Sequence, residues 1–94
     1  MKIFKNLFEQ TCEKLSLGEY FTMRLPNGDK VRVTYSEFRE YDYDDELVEW
    51  YDRVGVEIRT STGGYVFSEH LPTREDSLFD NAWGLVREAT GCKI

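Results

Sequence analysis

The chain has 94 residues, of which 40 % are hydrophobic, 15 % aromatic and 32 % charged, and its formal net charge is −6. This composition predicts one small soluble domain over residues 1–94 and excludes a disordered acidic tail or a membrane-spanning protein. Two cysteines are too few for a disulfide framework, and one histidine leaves no three-histidine metal site and no evident catalytic triad. We therefore predict a protein that is not an enzyme and holds no cofactor or metal. Polar residues interrupt the apolar run that a signal peptide needs, which predicts a cytoplasmic location.

The N-terminal segment predicts an amphipathic helix followed by a β-hairpin. Apolar side chains recur at helical spacing over residues 3–17, and Gly18 can end the helix in the left-handed conformation. Alternating apolar residues then flank a turn at residues 26–29 that contains Asn27-Gly28. Because Asn-Gly tolerates positive φ at both central positions of a turn, this pattern predicts a two-stranded hairpin.

A second hairpin is predicted around Gly63-Gly64, between alternating segments at residues 54–58 and 65–67. Residues 47–51 either extend its first strand or form a separate strand, and Gly55 is a candidate β-bulge.

The C-terminal segment predicts a helix. The run from Ser77 to Asp80 resembles a capping box, and Gly91 can end the helix. The complete order is helix, hairpin, acidic segment, hairpin, helix. This order predicts an α+β fold with an antiparallel sheet of four to five strands, built from two hairpins, and an N-terminal and a C-terminal helix packed on one face.

The negative charge is concentrated between Glu37 and Arg53. This segment holds eight carboxylates against two arginines, so it alone carries the −6 of the whole chain. If Asp42, Asp44 and Glu46 lie in extended chain, their carboxylates share one side at a spacing of about 6.6 Å. Such a row beside aromatic residues suits a basic groove that binds nucleic acid. The candidate partner-binding residues are Glu40, Tyr41, Asp42, Tyr43, Asp44, Asp45, Glu46, Glu49, Trp50, Tyr51 and Asp52.

Three alternatives compete for this segment. It can be a solvated loop that joins two hairpins, with its tyrosines folded back onto the core. It can be a cation site or, if Asp44, Asp45 and Glu46 meet a residue from elsewhere, part of an acid/base or metal-dependent enzyme. The start of the run is similar to an EF-hand loop, but Leu47 replaces the glycine at the sixth position and Arg53 the closing glutamate. A calcium loop of that kind is therefore not expected.

Other residues have a structural and a functional interpretation. Four cations alternate with the apolar rows of the predicted strands, so they form either a solvated face or a platform for phosphate or nucleic acid: Arg24, Lys30, Arg32 and Arg59. His70 is interpreted as a hydrogen-bonding residue at a strand end, and Cys12 as a small apolar core residue. A bridge between Cys12 and Cys92 requires the two helices to lie side by side.

The run from Glu40 to Glu46, the short chain and the compact α+β plan resemble the small acidic inhibitors of bacteriophages and mobile elements, including anti-CRISPR proteins and other DNA mimics. These inhibitors share no common fold or signature, so the resemblance assigns no residue a role. It implies a non-enzymatic protein that blocks the nucleic-acid channel of a defence nuclease or surveillance complex. The expected partner is then a basic protein or ribonucleoprotein surface, with no direct contact to nucleic acid and none to a membrane.

Toxin-immunity proteins fit the same description. A further alternative is a small homo-oligomeric assembly module whose acidic loop serves solubility. The wide apolar stripe of the C-terminal helix, which includes Trp83 and Leu85, favours that alternative, because it can exceed what one small sheet covers.

Overall fold

A computed structural model describes residues 2–73 and 77–91 of the protein. Its elements are α1 (Lys2–Glu13), β1 (Tyr20–Arg24), β2 (Lys30–Tyr41), β3 (Leu47–Arg59), β4 (Tyr65–Pro72) and α2 (Leu78–Thr90). The strands form one antiparallel sheet in the order β1-β2-β3-β4. Helix α2 packs on β3 and β4, and α1 packs beside α2. The predicted α+β fold, with four strands and one helix at each end of the chain, is confirmed.

The two central strands are much longer than the outer ones. Strands β2 and β3 have 12 and 13 residues, whereas β1 and β4 have 5 and 8. The distal half of the β2–β3 pair therefore has no neighbouring strand, and the molecule is elongated, with extents of 47 × 27 × 21 Å. Residues 47–51 extend β3, as one of the two predicted alternatives stated. The interpretation of the acidic segment as a loop between two hairpins is wrong, because most of it is strand.

The core lies between the helices and one face of the sheet, which we call the helix face. Alternate residues of β2 and β3 supply it with Val31, Val33, Val54, Val56 and Ile58, all at most 1 % exposed. Phe8 of α1 reaches this core and contacts the ring of Phe21 in β1, with ring centroids 5.7 Å apart. Neither α1 nor α2 lies on the opposite face of the sheet, which we call the open face.

Helix α1 also covers the apolar stripe of α2. The Trp83 ring lies 6.0 Å from Phe4 and 5.5 Å from Phe8, measured between ring centroids. The apolar stripe of α2, which favoured the homo-oligomeric alternative, therefore packs against α1 of the same chain.

Cys12 is a core residue, as predicted, with 1 % of its surface exposed. Burial, together with the neighbouring carboxylates of Glu13 and Glu9, raises the pKa of its thiol to about 12. The thiol is therefore unreactive at neutral pH. Cys92 lies outside the described residues, and so does any bridge to it.

The three hairpins close with the same kind of turn, at residues 25–29, 42–46 and 60–64. In each turn the N–H of the first residue donates to the carbonyl of the fifth, at 2.7, 3.0 and 2.8 Å respectively, and the fourth residue has positive φ. That fourth residue is Gly28 (94°), Asp45 (60°) or Gly63 (92°). The hairpin predicted at Asn27-Gly28 is present, with positive φ at Gly28 but not at Asn27.

Helix α2 begins and ends where the sequence predicts, whereas α1 ends earlier than predicted. The Ser77 hydroxyl accepts a hydrogen bond from the Asp80 N–H at 3.1 Å, and Gly91 ends the helix at φ 66°. Helix α1 ends at Glu13 rather than near residue 17. Gly18 belongs instead to the connection into β1, where its N–H donates to the Tyr35 carbonyl at 2.7 Å.

Gly55 makes room for the imidazole of His70 on the open face. It pairs in register with Thr34 and His70, and the register shifts of the sheet lie elsewhere, so the predicted bulge at Gly55 is wrong. A Cβ atom at Gly55 would lie 2.7 Å from Cδ2 of His70. The glycine thus allows the ring to lie against the backbone of the central strand.

This placement predicts a pH dependence of stability. Burial lowers the pKa of His70, the charge of Arg53 lowers it further, and Glu69 opposes the change. Since the folded pKa lies below the unfolded value of about 6.5, the unfolded chain binds the proton more readily. The contribution of the neutral His70 to the free energy of unfolding is complete above about pH 6.5 and is lost as the pH falls through the folded pKa.

We therefore expect the free energy of unfolding to decrease less on acidification from about pH 7.5 to 5 in His70→Gln than in the wild type. Urea titrations at constant ionic strength measure the difference. Equal pH dependences in the two proteins would contradict the assignment to His70.

Candidate functional site: the acidic arm

Residues 37–53 form a projecting two-stranded ribbon, which we call the acidic arm. It begins where the core ends, at Val54, and every residue from Tyr41 to Trp50 is exposed. All eight carboxylates of the predicted acidic segment lie on this ribbon or in its turn. All of these charges therefore lie outside the core.

The strand register places like charges directly opposite each other. Glu37 pairs with Asp52 on the helix face of the arm, and Glu40 pairs with Glu49 on the open face. Opposed like charges destabilise a sheet, by an amount comparable to the about 0.2–1 kcal/mol that favourable cross-strand pairs contribute. The Glu37 carboxylate accepts a hydrogen bond from Nε of Arg39, and the Asp52 carboxylate accepts one from the Tyr35 hydroxyl. The arrangement costs stability on both faces, so the arm is not optimised for folding.

The aromatic side chains of the arm are divided between its two faces and its tip. On the open face Phe38 and Tyr51 lie opposite each other, with ring centroids 5.3 Å apart, and the Arg53 guanidinium lies 4.8 Å from the Phe38 ring. Trp50 is on the helix face and keeps 60 % of its surface exposed, and Tyr43 at the tip is fully exposed. Each face of the arm therefore carries both acids and aromatics, and neither kind of residue is confined to one side.

An exposed aliphatic residue belongs to the same surface and was not among the predicted candidates. Val48 is 63 % exposed and lies two residues before Trp50 on β3. The signal was present in the sequence, because residues 48 and 50 continue the alternation of Val54, Val56 and Ile58 past the end of the core. Apolar residues that continue a core stripe into solvent are typical of interaction surfaces.

The tip of the arm is a turn rather than extended chain. The Asp42 carboxylate accepts hydrogen bonds from the N–H groups of Asp44 at 2.8 Å and Glu46 at 3.0 Å. The predicted extended row of Asp42, Asp44 and Glu46 is therefore wrong. Asp42 has a defined structural role in this turn, because its Oδ1 atom satisfies two backbone donors.

Asp45 occupies the position that glycine occupies in the other two turns, at φ 60°. A non-glycine residue in the left-handed region is strained, although aspartate tolerates this region better than most residues. We expect Asp45→Gly to raise the free energy of unfolding by about 0.5–1 kcal/mol, as measured by urea denaturation.

Two variants separate strain from charge at this position. Asp45→Asn removes the same charge and keeps a side chain of the same size. Gly63→Ala introduces strain at the equivalent position of the next turn, where the added Cβ atom would have no neighbour within 4 Å. If Asn stabilises as much as Gly, relief of repulsion rather than of strain is the cause. Gly63→Ala should destabilise by about 1 kcal/mol.

Asp52 connects the base of the arm to the rest of the sheet. Its carboxylate accepts a hydrogen bond from the Tyr35 hydroxyl at 3.3 Å, and its backbone carbonyl accepts one from the Thr73 N–H at 2.9 Å. Burial and the Asp52 charge raise the pKa of Tyr35. Among the candidate residues, Asp52 is half-buried and the others, except Tyr51, are exposed.

The described parts of the chain contain no group of three His, Cys, Asp or Glu side chains close enough to share a metal ion. Neither α1 nor α2 has the length and apolar content that crossing a lipid bilayer requires. What the arm offers chemically is thus negative charge, hydroxyl groups and exposed aromatic and aliphatic surface. Comparisons of this chain with protein-family models, with curated proteins and with solved structures gave no match.

Proposed function

We propose that the protein is a non-enzymatic binding protein whose acidic arm occupies a basic, nucleic-acid-binding surface of a partner. The observation that carries the proposal is the projecting ribbon itself, which holds a charge of −6 outside the core with acids opposed on both faces. An arm that only closed a hairpin would be more stable without these repulsions. Binding to cations of a partner would offset them.

The charge density of the arm supports a nucleic-acid-like mode of binding. From residue 37 to the tip, the ribbon is about 20 Å long at the rise of a β-strand. The net charge of −6 over this length corresponds to one charge per about 3.3 Å, close to the spacing of about 3.4 Å along one strand of duplex DNA. A channel that binds a phosphate backbone would therefore meet a comparable row of negative charge, on a ribbon narrower than a duplex.

Exposed side chains add short-range contacts to this electrostatic attraction. Tyr43 at the tip is fully exposed, and Trp50 and Val48 on β3 keep 60 % and 63 % of their surface exposed, so all three provide accessible apolar surface. Aromatic residues of this kind are enriched among the residues that contribute most to the affinity of protein interfaces. We infer that charge guides association and that these side chains slow dissociation. The mode is that of an anti-CRISPR-like inhibitor of a defence nuclease or surveillance complex.

The proposal is tested by capture of partners on the immobilised protein at low salt, followed by elution in two ways. A partner that binds through the arm should elute as salt rises, and duplex DNA should displace it, because DNA competes for the same cations. The captured complex must itself bind nucleic acid when purified. Recovery of no partner that DNA displaces would contradict the proposal.

A further inference from the structure

The open face of the sheet carries a row of three adjacent cations at the end opposite the acidic arm. Lys30 pairs with Arg24 on one side and with Arg59 on the other, so the three side chains cross the sheet side by side. The next row toward the arm contains Thr22, Arg32 and Glu57 in the same order. The two rows thus bring four cations together with one carboxylate.

Such a row destabilises the free protein, because like charges lie directly opposite each other on neighbouring strands. The Glu57 carboxylate compensates part of the charge, since it accepts a hydrogen bond from Nε of Arg59 at 2.6 Å. Among the described residues, neither Lys30 nor Arg32 has an acidic side chain within ion-pair distance. Arg32 lies instead against the ring of Tyr20, 5.0 Å from its centroid.

Three of these cations, Lys30, Arg32 and Arg59, line a groove of about 570 Å³ between the strands and the β3–β4 turn, together with the Glu57 carboxylate. The side of the groove formed by the turn is polar. It contains two hydroxyl groups 3.1 Å apart, those of Thr60 and Thr62, together with Ser61 and Gly63. The volume lies within the range of about 300–1,000 Å³ that is typical of small-molecule sites. A second groove of about 400 Å³ shares Thr22, Lys30 and Arg32 with the first and extends toward Arg24.

We propose that this groove binds a small molecule that carries a phosphate group. Guanidinium, ammonium and hydroxyl donors around one cavity match the acceptor oxygens of a phosphate, and an anion there would relieve the repulsion within the row. The ligand is a small molecule rather than a nucleic acid because the acidic arm extends from the same sheet and repels a long polyanion. The site is distinct from the acidic arm and does not depend on the function proposed for it.

Inorganic pyrophosphate is the probe, and backbone amide resonances of the labelled protein are the readout. We expect saturable shifts at Thr22, Arg32 and residues 60–63, with none at the tip of the arm. The double variant Lys30→Gln/Arg32→Gln should raise the Kd at least about tenfold. Its matched control, Lys14→Gln/Arg87→Gln, removes two exposed cations, one directly after α1 and one in α2, and should bind as the wild type does.

Two results would overturn the proposal. The first is the absence of saturation up to about 10 mM pyrophosphate, or shifts that sodium chloride reproduces at equal ionic strength, because either means that no specific site exists. The second is tighter binding of a twelve-residue oligothymidylate, with shifts that extend to Phe38 and Tyr51, which would assign the open face to nucleic acid instead.

Discussion

Replacement of Phe8 by alanine is expected to lower the free energy of unfolding by about 3–5 kcal/mol. The Phe8 side chain is completely buried. Its ring centroid lies within 6.2 Å of four other rings, those of Phe4, Phe21, Phe79 and Trp83. It therefore connects α1 with β1 and with α2, and alanine would leave a cavity where three elements meet. A domain of this size has a total stability of about 5–14 kcal/mol, so the loss is a large fraction of it.

Urea denaturation followed by tryptophan fluorescence measures this effect, since Trp83 belongs to the same cluster. Ile3→Ala is the matched control, because Ile3 is on the same helix and is 86 % exposed. The control should change stability by less than about 0.5 kcal/mol. A loss below about 1.5 kcal/mol for Phe8→Ala would show that the ring does not organise the core.

Neutralisation of the turn of the acidic arm is expected to slow association with a basic partner by about 10- to 100-fold and to weaken its salt dependence. The variant is Asp42→Asn, Asp44→Asn, Asp45→Asn and Glu46→Gln. The geometry of the tip makes these substitutions conservative. Asparagine at position 42 keeps the Oδ1 acceptor for the two N–H groups of the turn, and asparagine tolerates the left-handed conformation at position 45. The fold should therefore persist.

The control removes the same number of carboxylates from outside the arm: Glu9→Gln, Glu13→Gln, Glu69→Gln and Glu88→Gln. Association rates of both variants are measured by surface plasmon resonance on the captured partner over a series of salt concentrations. If the two variants slow association equally, net charge rather than the arm attracts the partner. If the arm variant binds as the wild type does, the proposed role of the arm is wrong.

These two predictions separate the parts of the protein that fold it from the part proposed to bind. Phe8 and the valines of β2 and β3 lie in the helix-covered half of the sheet, whereas the turn variant changes only exposed residues. A protein that loses binding while its stability is kept would therefore assign the arm to function. The gain in stability expected for Asp45→Gly also separates the arm from the folding core, because it means that position 45 is not optimised for folding.

The sequence by itself determined the features that depend on neighbouring residues. The cap at Ser77, the end of α2 at Gly91 and the turns at Gly28 and Gly63 follow from side-chain hydrogen bonds and from positive φ, both of which are local. The alternating strands and the α+β class follow from periodicity, which is also local. The concentration of charge in residues 37–53 required only a count.

Only the tertiary structure decided what lies across the sheet, because partners on different strands are far apart in the sequence. The acidic segment is a projecting ribbon rather than a loop, because residues 37–41 pair with residues 47–52. The register then opposed Glu40 to Glu49, placed Phe38 opposite Tyr51 and brought Arg24, Lys30 and Arg59 into one row. A strand has two faces and a partner at each edge, so a side chain's neighbours depend on register, which local propensity does not specify.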